Sequence, residues 1–81
     1  MKFHGSDYKE MDRKSRAMIL YYIVKVIKKF EDYKFLTHQI YGMLEAEINQ
    51  NIELLKEKDD IEIKESIVRL SRALYSIDFL I

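Results

Sequence analysis

Residues 63–81 read IKESIVRLSRALYSIDFLI, and this stretch decides the fold class. Six of its large aliphatic residues recur at intervals of 4, 3, 4, 3 and 4 positions. A repeat of 3.5 residues places one narrow apolar stripe along an α-helix, and such a stripe needs a partner helix to cover it. The stripe predicts a protein built by packing helices together, in which it forms a core or oligomer seam. Its members are Ile63, Ile67, Leu70, Leu74, Ile77 and Ile81.

The composition of the whole chain favours an all-α domain. Of its 81 residues, 48% are hydrophobic and 35% are charged, the balance of a helical globule rather than of a disordered segment. The chain contains no Pro and two Gly, so the residues that punctuate hairpins are scarce. It contains no Cys, which excludes disulfide bonds and thiolate zinc sites as sources of stability. We expect a three-helix bundle or a long helical hairpin.

The first predicted helix spans residues 7–32 and carries apolar residues around more than half of its circumference. At 100° per residue they cover an arc of about 220°, whereas one neighbour needs little more than about 100°. We therefore expect this helix to contact two neighbours at once through two flanks. One flank contains Ile19, Ile23, Val26, Phe30 and Tyr33. The other flank contains Ala17, Leu20, Val24 and Ile27.

Two further helices are predicted over residues 37–57 and 60–81, and a flexible N-terminal end over residues 1–6. The charged turn that precedes the last helix is clear, but the junction at Asp32–Phe35 contains no Pro or Gly. Because the apolar phase continues through this junction, one unbroken helix over residues 7–57 is an alternative. We favour a break, since the last helix would cover less than half of a helix about 75 Å long.

Individual residues of the middle helix carry specific expectations. Thr37 suits its N-terminal cap, and the close approach of another backbone is one reason to tolerate Gly42 inside the helix. Glu47 belongs to a face that we expect to be solvated. Asn51 either fixes the register from inside the seam or lies at its edge with Ile52 in the core, and we favour the edge.

The formal net charge of zero argues against a strongly basic nucleic-acid-binding protein. The first helix nevertheless carries a basic stripe with a tyrosine among its lysines. Such a stripe can contact a phosphate backbone and stack on a base, although Glu10 and Asp32 lie on the same face. Binding of nucleic acid or of an acidic partner is therefore an alternative function. The stripe contains Lys14, Tyr21, Lys25, Lys28 and Lys29.

Residues with catalytic or metal-binding chemistry are sparse. There is no Gly-rich phosphate loop and no pair of His at metal-ligand spacing. His38 is best explained as a polar residue at a helix start, and Asp59–Asp60 as a solvated turn. We expect no enzymatic activity, metal or cofactor. The longest apolar run, residues 17–24, is too short to span a bilayer, and the lack of Cys and of an apolar leader indicates a cytoplasmic protein.

One local resemblance concerns the second half of the chain. It lies in Ile52-Glu53-Leu54-Leu55, in the acidic turn that follows, in Glu65-Ser66-Ile67 and in Ser76-Ile77-Asp78-Phe79. With these segments, residues 48–81 resemble the middle helix pair of flagellar export chaperones of the flagellin-binding kind. The resemblance implies a secretion-chaperone-like helical clamp as another alternative, and it assigns no binding residues.

The last helix carries a second apolar stripe, formed by Val68, Tyr75 and Phe79. The apolar width of the first and last helices thus exceeds what three short helices can bury among themselves, and we expect a dimeric or larger helical assembly. The leading hypothesis is a small non-enzymatic protein–protein interaction module, such as a regulator, adaptor, chaperone or assembly subunit. Its partner is a second copy of the chain or another protein. The expected partner-binding residues are Leu20, Val24, Ile27, Tyr75 and Phe79.

Overall fold

A computed structural model describes the backbone of residues 5–80 and the side chains of residues 8–80. Every regular element in this part of the chain is a helix, which confirms the predicted all-α fold. The elements are α1 (Gly5–Glu10), α2 (Arg13–Lys29), a 3-10 helix (Glu31–Leu36), α3 (Thr37–Glu57) and α4 (Ile61–Asp78).

Two predictions fall partly on residues outside the described range. Residues 1–4 of the expected flexible end lie there, whereas Gly5 and Ser6 form the start of α1. Ile81, the last member of the predicted seam, also lies outside the described range.

Helices α2, α3 and α4 pack pairwise around one apolar core. The most extensive contact is between α3 and α4, which are joined by the short link Lys58–Asp60. Each helix contributes buried side chains at intervals of three and four residues, so that each buries one stripe. The buried residues of this core are Ala17, Leu20, Val24, Ile27, Ile40, Leu44, Leu70, Ala73 and Ile77.

The region predicted as one helix over residues 7–32 is divided at Met11–Asp12. Asp12 caps α2, because its carboxylate accepts a hydrogen bond from the backbone N–H of Ser15 over 2.7 Å. The hydrogen bonds from Ser15 also lower the pKa of the Asp12 carboxyl group. The guanidinium group of Arg16 donates to the carbonyl oxygen of Met11 over 2.6 Å and so holds the break together. Apolar periodicity alone does not reveal this division, because the cap residue is polar and the phase of the apolar repeat is almost the same on both sides of it.

Between α2 and α3 the chain turns back, so residues 7–57 do not form one helix. Phe30 adopts an extended backbone with φ −117° and ψ 118°, and the 3-10 helix follows it. The departure from α-helical geometry begins at Phe30, two residues before the predicted break near Asp32–Phe35, and the 3-10 helix Glu31–Leu36 covers the predicted position. The reversal brings Ile40 and Leu44 of α3 onto the core, which a straight continuation of α2 would carry away from it.

The buried stripe of α4 differs from the predicted seam at every second position. It consists of Ile63, Ser66, Leu70, Ala73 and Ile77, of which the first, third and fifth are predicted seam members. Two of its members, Ser66 and Ala73, are small, and the separation of packed helices depends on the side chains at their contact. The predicted members Ile67 and Leu74 lie beside this stripe and are half-buried.

Two expectations for α3 are wrong. Thr37 does not cap the helix, because its buried hydroxyl group donates to the carbonyl oxygen of Lys34 over 2.7 Å. Leu36 occupies the cap position instead. A Cβ atom placed on Gly42 meets nothing within 4 Å, so no described part of the chain approaches this glycine closely.

Candidate interaction surfaces

The structure separates the residues that the sequence predicted as one partner-binding surface. Leu20, Val24 and Ile27 are buried, because their flank of α2 packs against α3 and α4. They belong to the protein's own core, and their prediction as a binding surface is wrong. In contrast, Tyr75 of α4 is 73% exposed, and Phe79, the C-cap residue of α4, is 81% exposed.

Tyr75 and Phe79 are part of a continuous stripe, which we call the outer face of α4. It contains Ile61, Glu65, Val68, Arg72, Tyr75 and Phe79, at intervals of 4, 3, 4, 3 and 4 residues. On a helical wheel these positions fall within about 80° of arc, on the side of α4 opposite its buried stripe. The rings of Tyr75 and Phe79 pack edge to face with centroids 5.9 Å apart. Ile61 is an exposed member that the predicted second stripe lacks, although its spacing of seven residues from Val68 is visible in the sequence.

The outer face of α4 combines charged and apolar groups. Glu65 and Arg72 lie within the stripe, while Lys64 and Asp78 lie along one edge of it. Lys64 Nζ is 2.8 Å from Asp59 Oδ1 in a solvent-exposed ion pair. A shallow concavity of about 620 Å³ crosses the face. It is lined by Lys28, Ile67, Val68, Ser71, Arg72, Tyr75, Ser76 and Phe79.

In the predicted basic stripe of α2, the central side chains already contact neighbours. The ammonium nitrogen of Lys25 lies 4.8 Å from the centroid of the Tyr21 ring, and Lys28 Nζ donates to Ser76 Oγ over 2.6 Å. Tyr21 is half-buried in this arrangement, so the structure does not present its ring as a free stacking platform.

The remaining members of the basic stripe lie toward the two ends of α2. Lys14 Nζ is 4.0 Å from Glu62 Oε1, and Lys29 Nζ is 5.6 Å from the centroid of the Phe30 ring. The structure adds one cation that the sequence prediction lacks, Arg72 of α4. This arginine shares a hollow of about 230 Å³ with two of the lysines. The hollow is lined by Tyr21, Val24, Lys25, Lys28, Arg72, Ala73 and Ser76.

A second apolar surface is a groove of about 620 Å³ between α1, α2, the 3-10 helix and α3. Three residues of the flank predicted to contact a neighbouring helix, Ile23, Val26 and Tyr33, line this groove without being fully covered. The groove therefore marks where the apolar width of α2 exceeds what the described chain buries. Its lining residues are Tyr8, Lys9, Tyr22, Ile23, Val26, Ile27, Tyr33, Leu36, Gln39, Ile40 and Met43.

A polar cluster connects α1, α2 and α3. Glu47 is buried, and its Oε2 atom accepts hydrogen bonds from the Tyr8 hydroxyl group over 2.7 Å and from Arg16 Nε over 2.9 Å. Burial and the hydrogen bond to Glu47 raise the pKa of Tyr8, since both disfavour its phenolate form. The prediction that Glu47 faces solvent is wrong, because Arg16, 31 positions away in the sequence, supplies its counter-charge.

A second set of hydrogen bonds ties α2 to both α3 and α4. Asn51 is fully buried and Ile52 is exposed, which reverses the arrangement that the sequence analysis favours. Asn51 Oδ1 accepts from Arg13 Nη1 over 2.9 Å, and Asn51 Nδ2 donates to the carbonyl oxygen of Glu47 over 2.7 Å. Arg13 Nη1 also donates a hydrogen bond to Ser66 Oγ over 3.3 Å. Since Arg13 is engaged by internal partners, this cluster is suited to holding helices together rather than to binding a ligand.

No group of three or more His, Asp or Glu among the described residues could hold a metal ion. None of the helices in residues 5–80 is both long enough and apolar enough to cross a bilayer. His38 is exposed in the first turn of α3, in agreement with its interpretation as a polar residue at a helix start.

No protein-family model, curated protein or solved structure matches this chain. Its function must therefore be inferred from the surfaces described above.

Proposed function

We propose that this protein is a small non-enzymatic interaction module that binds a protein, a second copy of itself included, through the outer face of α4. The exposure of Tyr75 and Phe79 carries the proposal. Two adjacent aromatic side chains that are 73% and 81% exposed form an apolar patch, and such patches mark protein contact sites. Complete burial of one such ring is worth about 1.5–3 kcal/mol, so leaving both in water is unfavourable.

The chemistry of the outer face of α4 supports protein binding. Protein interfaces are enriched in aromatic residues and Arg at their centres, and these residues supply much of the binding energy. Arg72 lies in the middle of the stripe, one helical turn from Tyr75. Because the opposite side of α4 is fixed in the core by Leu70 and Ile77, the face is presented on a firmly packed helix. A regulator, an adaptor, an assembly subunit or a secretion chaperone would each use such a face.

The test compares two charge-introducing variants of the tagged full chain. One carries Tyr75→Glu and Phe79→Glu, and the matched control carries Phe35→Glu, which changes a 78% exposed aromatic residue on the 3-10 helix. We expect both variants to keep the helical circular dichroism spectrum, because all three side chains are exposed. Light scattering and native co-purification then report what each chain binds. The proposal requires self-association or a stoichiometric partner that the control retains and the double variant loses.

The opposite result is also clear. A wild-type chain that stays monomeric and recovers no stoichiometric partner would contradict the proposal. The same holds for a partner that the Tyr75→Glu, Phe79→Glu chain binds as well as the wild type does.

Binding of nucleic acid is a second candidate function, and one observation favours it. Lys25 and Lys28 of α2 share a hollow with Arg72 of α4, so three cations converge on one surface. Phosphate contacts would make the affinity fall steeply as salt rises. We expect Lys25→Gln with Lys28→Gln to reduce the salt dependence of binding to a mixed-sequence oligonucleotide, whereas Lys56→Gln should leave it unchanged. Absence of binding at low salt would remove this candidate.

A further inference from the structure

We infer that the outer face of α4 is occupied by the same face of a second copy of this chain, with the two α4 helices antiparallel. The inference rests on the proposed function, since it names the partner of the surface proposed there. Two features carry it, namely the regular heptad spacing of the stripe and the arrangement of its charges.

The spacing gives the stripe the register of a two-helix seam. Intervals of 4, 3, 4, 3 and 4 keep six residues on one side of α4 through five turns, which is the pattern of knobs-into-holes packing. In an antiparallel pair whose two-fold axis crosses the seam at the level of position 70, Ile61 of one copy faces Phe79 of the other, and Val68 faces Arg72. Because the stripe lies opposite the buried stripe, a second helix can lie along it without displacing α2 or α3.

The charges of the stripe favour an antiparallel orientation of the two α4 helices. A parallel pair would place Glu65 opposite Glu65 and Arg72 opposite Arg72, and like charges across a seam disfavour pairing. In the antiparallel pair, Glu65 of one copy lies about one helical turn from Arg72 of the other, within reach of two long side chains. Lys64 of one copy likewise approaches Asp78 of the other at the edge of the seam. Each complementary contact occurs twice because the pair is two-fold symmetric.

The exposed apolar area supplies a substantial part of what a small dimer interface needs. A fully buried aromatic side chain removes about 150–250 Å² from water, so the exposed parts of Tyr75 and Phe79 offer roughly 200–400 Å² per copy. Ile61 and Val68, both exposed, extend this area along the helix. A standard interface covers about 800 Å² per partner, and the aliphatic stems of Lys64 and Arg72 supply part of the remainder.

The first test uses mass and charge reversal on the full chain. Sedimentation and light scattering should give twice the 9.8 kDa chain mass at submillimolar concentration. Glu65→Arg and Arg72→Glu should each raise the dissociation constant about tenfold, whereas the double variant should return it close to the wild-type value. A parallel dimer would show no such restoration, because reversal of both charges leaves like opposite like. Additive losses in the double variant would therefore overturn the antiparallel register.

The second test uses cysteines, which the natural chain lacks. An Ile61→Cys chain mixed with a Phe79→Cys chain should oxidise to the mixed disulfide, because these positions face each other. Ile61→Cys alone should not form a covalent dimer, since the two copies of position 61 would lie about 27 Å apart along the axis. A covalent dimer of Ile61→Cys alone would show a parallel pair and overturn the inference.

Failure of this inference can be separated from failure of the proposed function. A wild-type chain that is monomeric at submillimolar concentration, yet binds a different protein through Tyr75 and Phe79, overturns the second copy as the occupant and keeps the interaction module. A chain that is monomeric and has no such partner overturns both. A dimer that persists in the Tyr75→Glu, Phe79→Glu variant shows that the copies meet elsewhere and also overturns the inference.

Discussion

The hydroxyl group of Tyr8 donates a hydrogen bond to Glu47 Oε2 across 2.7 Å and thereby joins α1 to α3. The same oxygen accepts from Arg16 Nε of α2, so one carboxylate connects three helices. The side chains of Arg16 and Glu47 are only 15% and 9% exposed. A pair this well shielded from solvent is costly to break, because the remaining charge has no comparable partner.

We predict that Glu47→Ala destabilises the fold by about 3 kcal/mol, the loss typical of breaking a buried ion pair. The matched control is Glu53→Ala, which removes an exposed partner of Lys56 and should cost at most about 0.5 kcal/mol. Urea unfolding followed by circular dichroism measures both values. Equal losses in the two variants would show that Glu47 is not a structural anchor.

Asn51→Leu tests the second polar cluster. Removal of the side-chain amide leaves Arg13 without its acceptor at 2.9 Å, and we expect a loss of about 1–3 kcal/mol in the free energy of unfolding. Asn49→Leu changes an exposed amide on the same helix and should have little effect. Because Asn51 lies inside one chain, the mass in light scattering should remain that of the wild type. A change of association state would show that Asn51 specifies the oligomer instead.

The raised pKa of Tyr8 predicts a loss of stability at alkaline pH. Burial and the Glu47 carboxylate favour the protonated phenol in the folded state, while the unfolded chain ionises this group near pH 10.0. The stabilisation is therefore fully present below pH 10.0 and is lost as the pH rises above that value. Tyr8→Phe should flatten this part of the stability profile. Tyr22→Phe, a change at an exposed tyrosine, should keep the wild-type slope.

Gly42→Ala should stabilise the protein by up to about 1 kcal/mol, because Gly is a poor helix former and Ala the best one. A Cβ atom at this position meets nothing within 4 Å, and Gly42 has no positive φ that would favour glycine. The rise in thermal midpoint measures the gain. A destabilised Gly42→Ala chain would show that another molecule approaches the backbone here, and repeating the measurement over a range of protein concentrations would test for a second copy.

The sequence predicts only in part which segments are helical and which polar residues interrupt them. Apolar periodicity locates α3 and α4 closely, because each of these helices buries one stripe. It does not tell which flank of α2 becomes core, since a helical wheel shows the apolar width of a helix and not the positions of its neighbours. Leu20, Val24 and Ile27 were therefore as eligible for a partner surface as for the core.

The polar clusters could not be predicted from local patterns. Glu47 and Asn51 are buried because Arg16 and Arg13 reach them across 31 and 38 positions of sequence. A polar residue next to an apolar stripe is equally consistent with solvent, and only the packing of α2 on α3 decides between the two. The stripe that contains Tyr75 and Phe79, by contrast, is visible in the sequence through the seven-residue spacing of Val68 and Tyr75, and the structure adds that this stripe is exposed.

The shortness of the Lys58–Asp60 link has a consequence for the order in which the chain folds. Helices α3 and α4 are sequence neighbours, so closing the loop between them costs little chain entropy. Docking of α2 must order a longer stretch of chain, and its arginines contact residues far away in sequence. Local contacts, such as those between α3 and α4, speed folding. We expect the α3–α4 hairpin to act as the folding nucleus. The N-terminal helices α1 and α2 then dock onto it in a later kinetic phase.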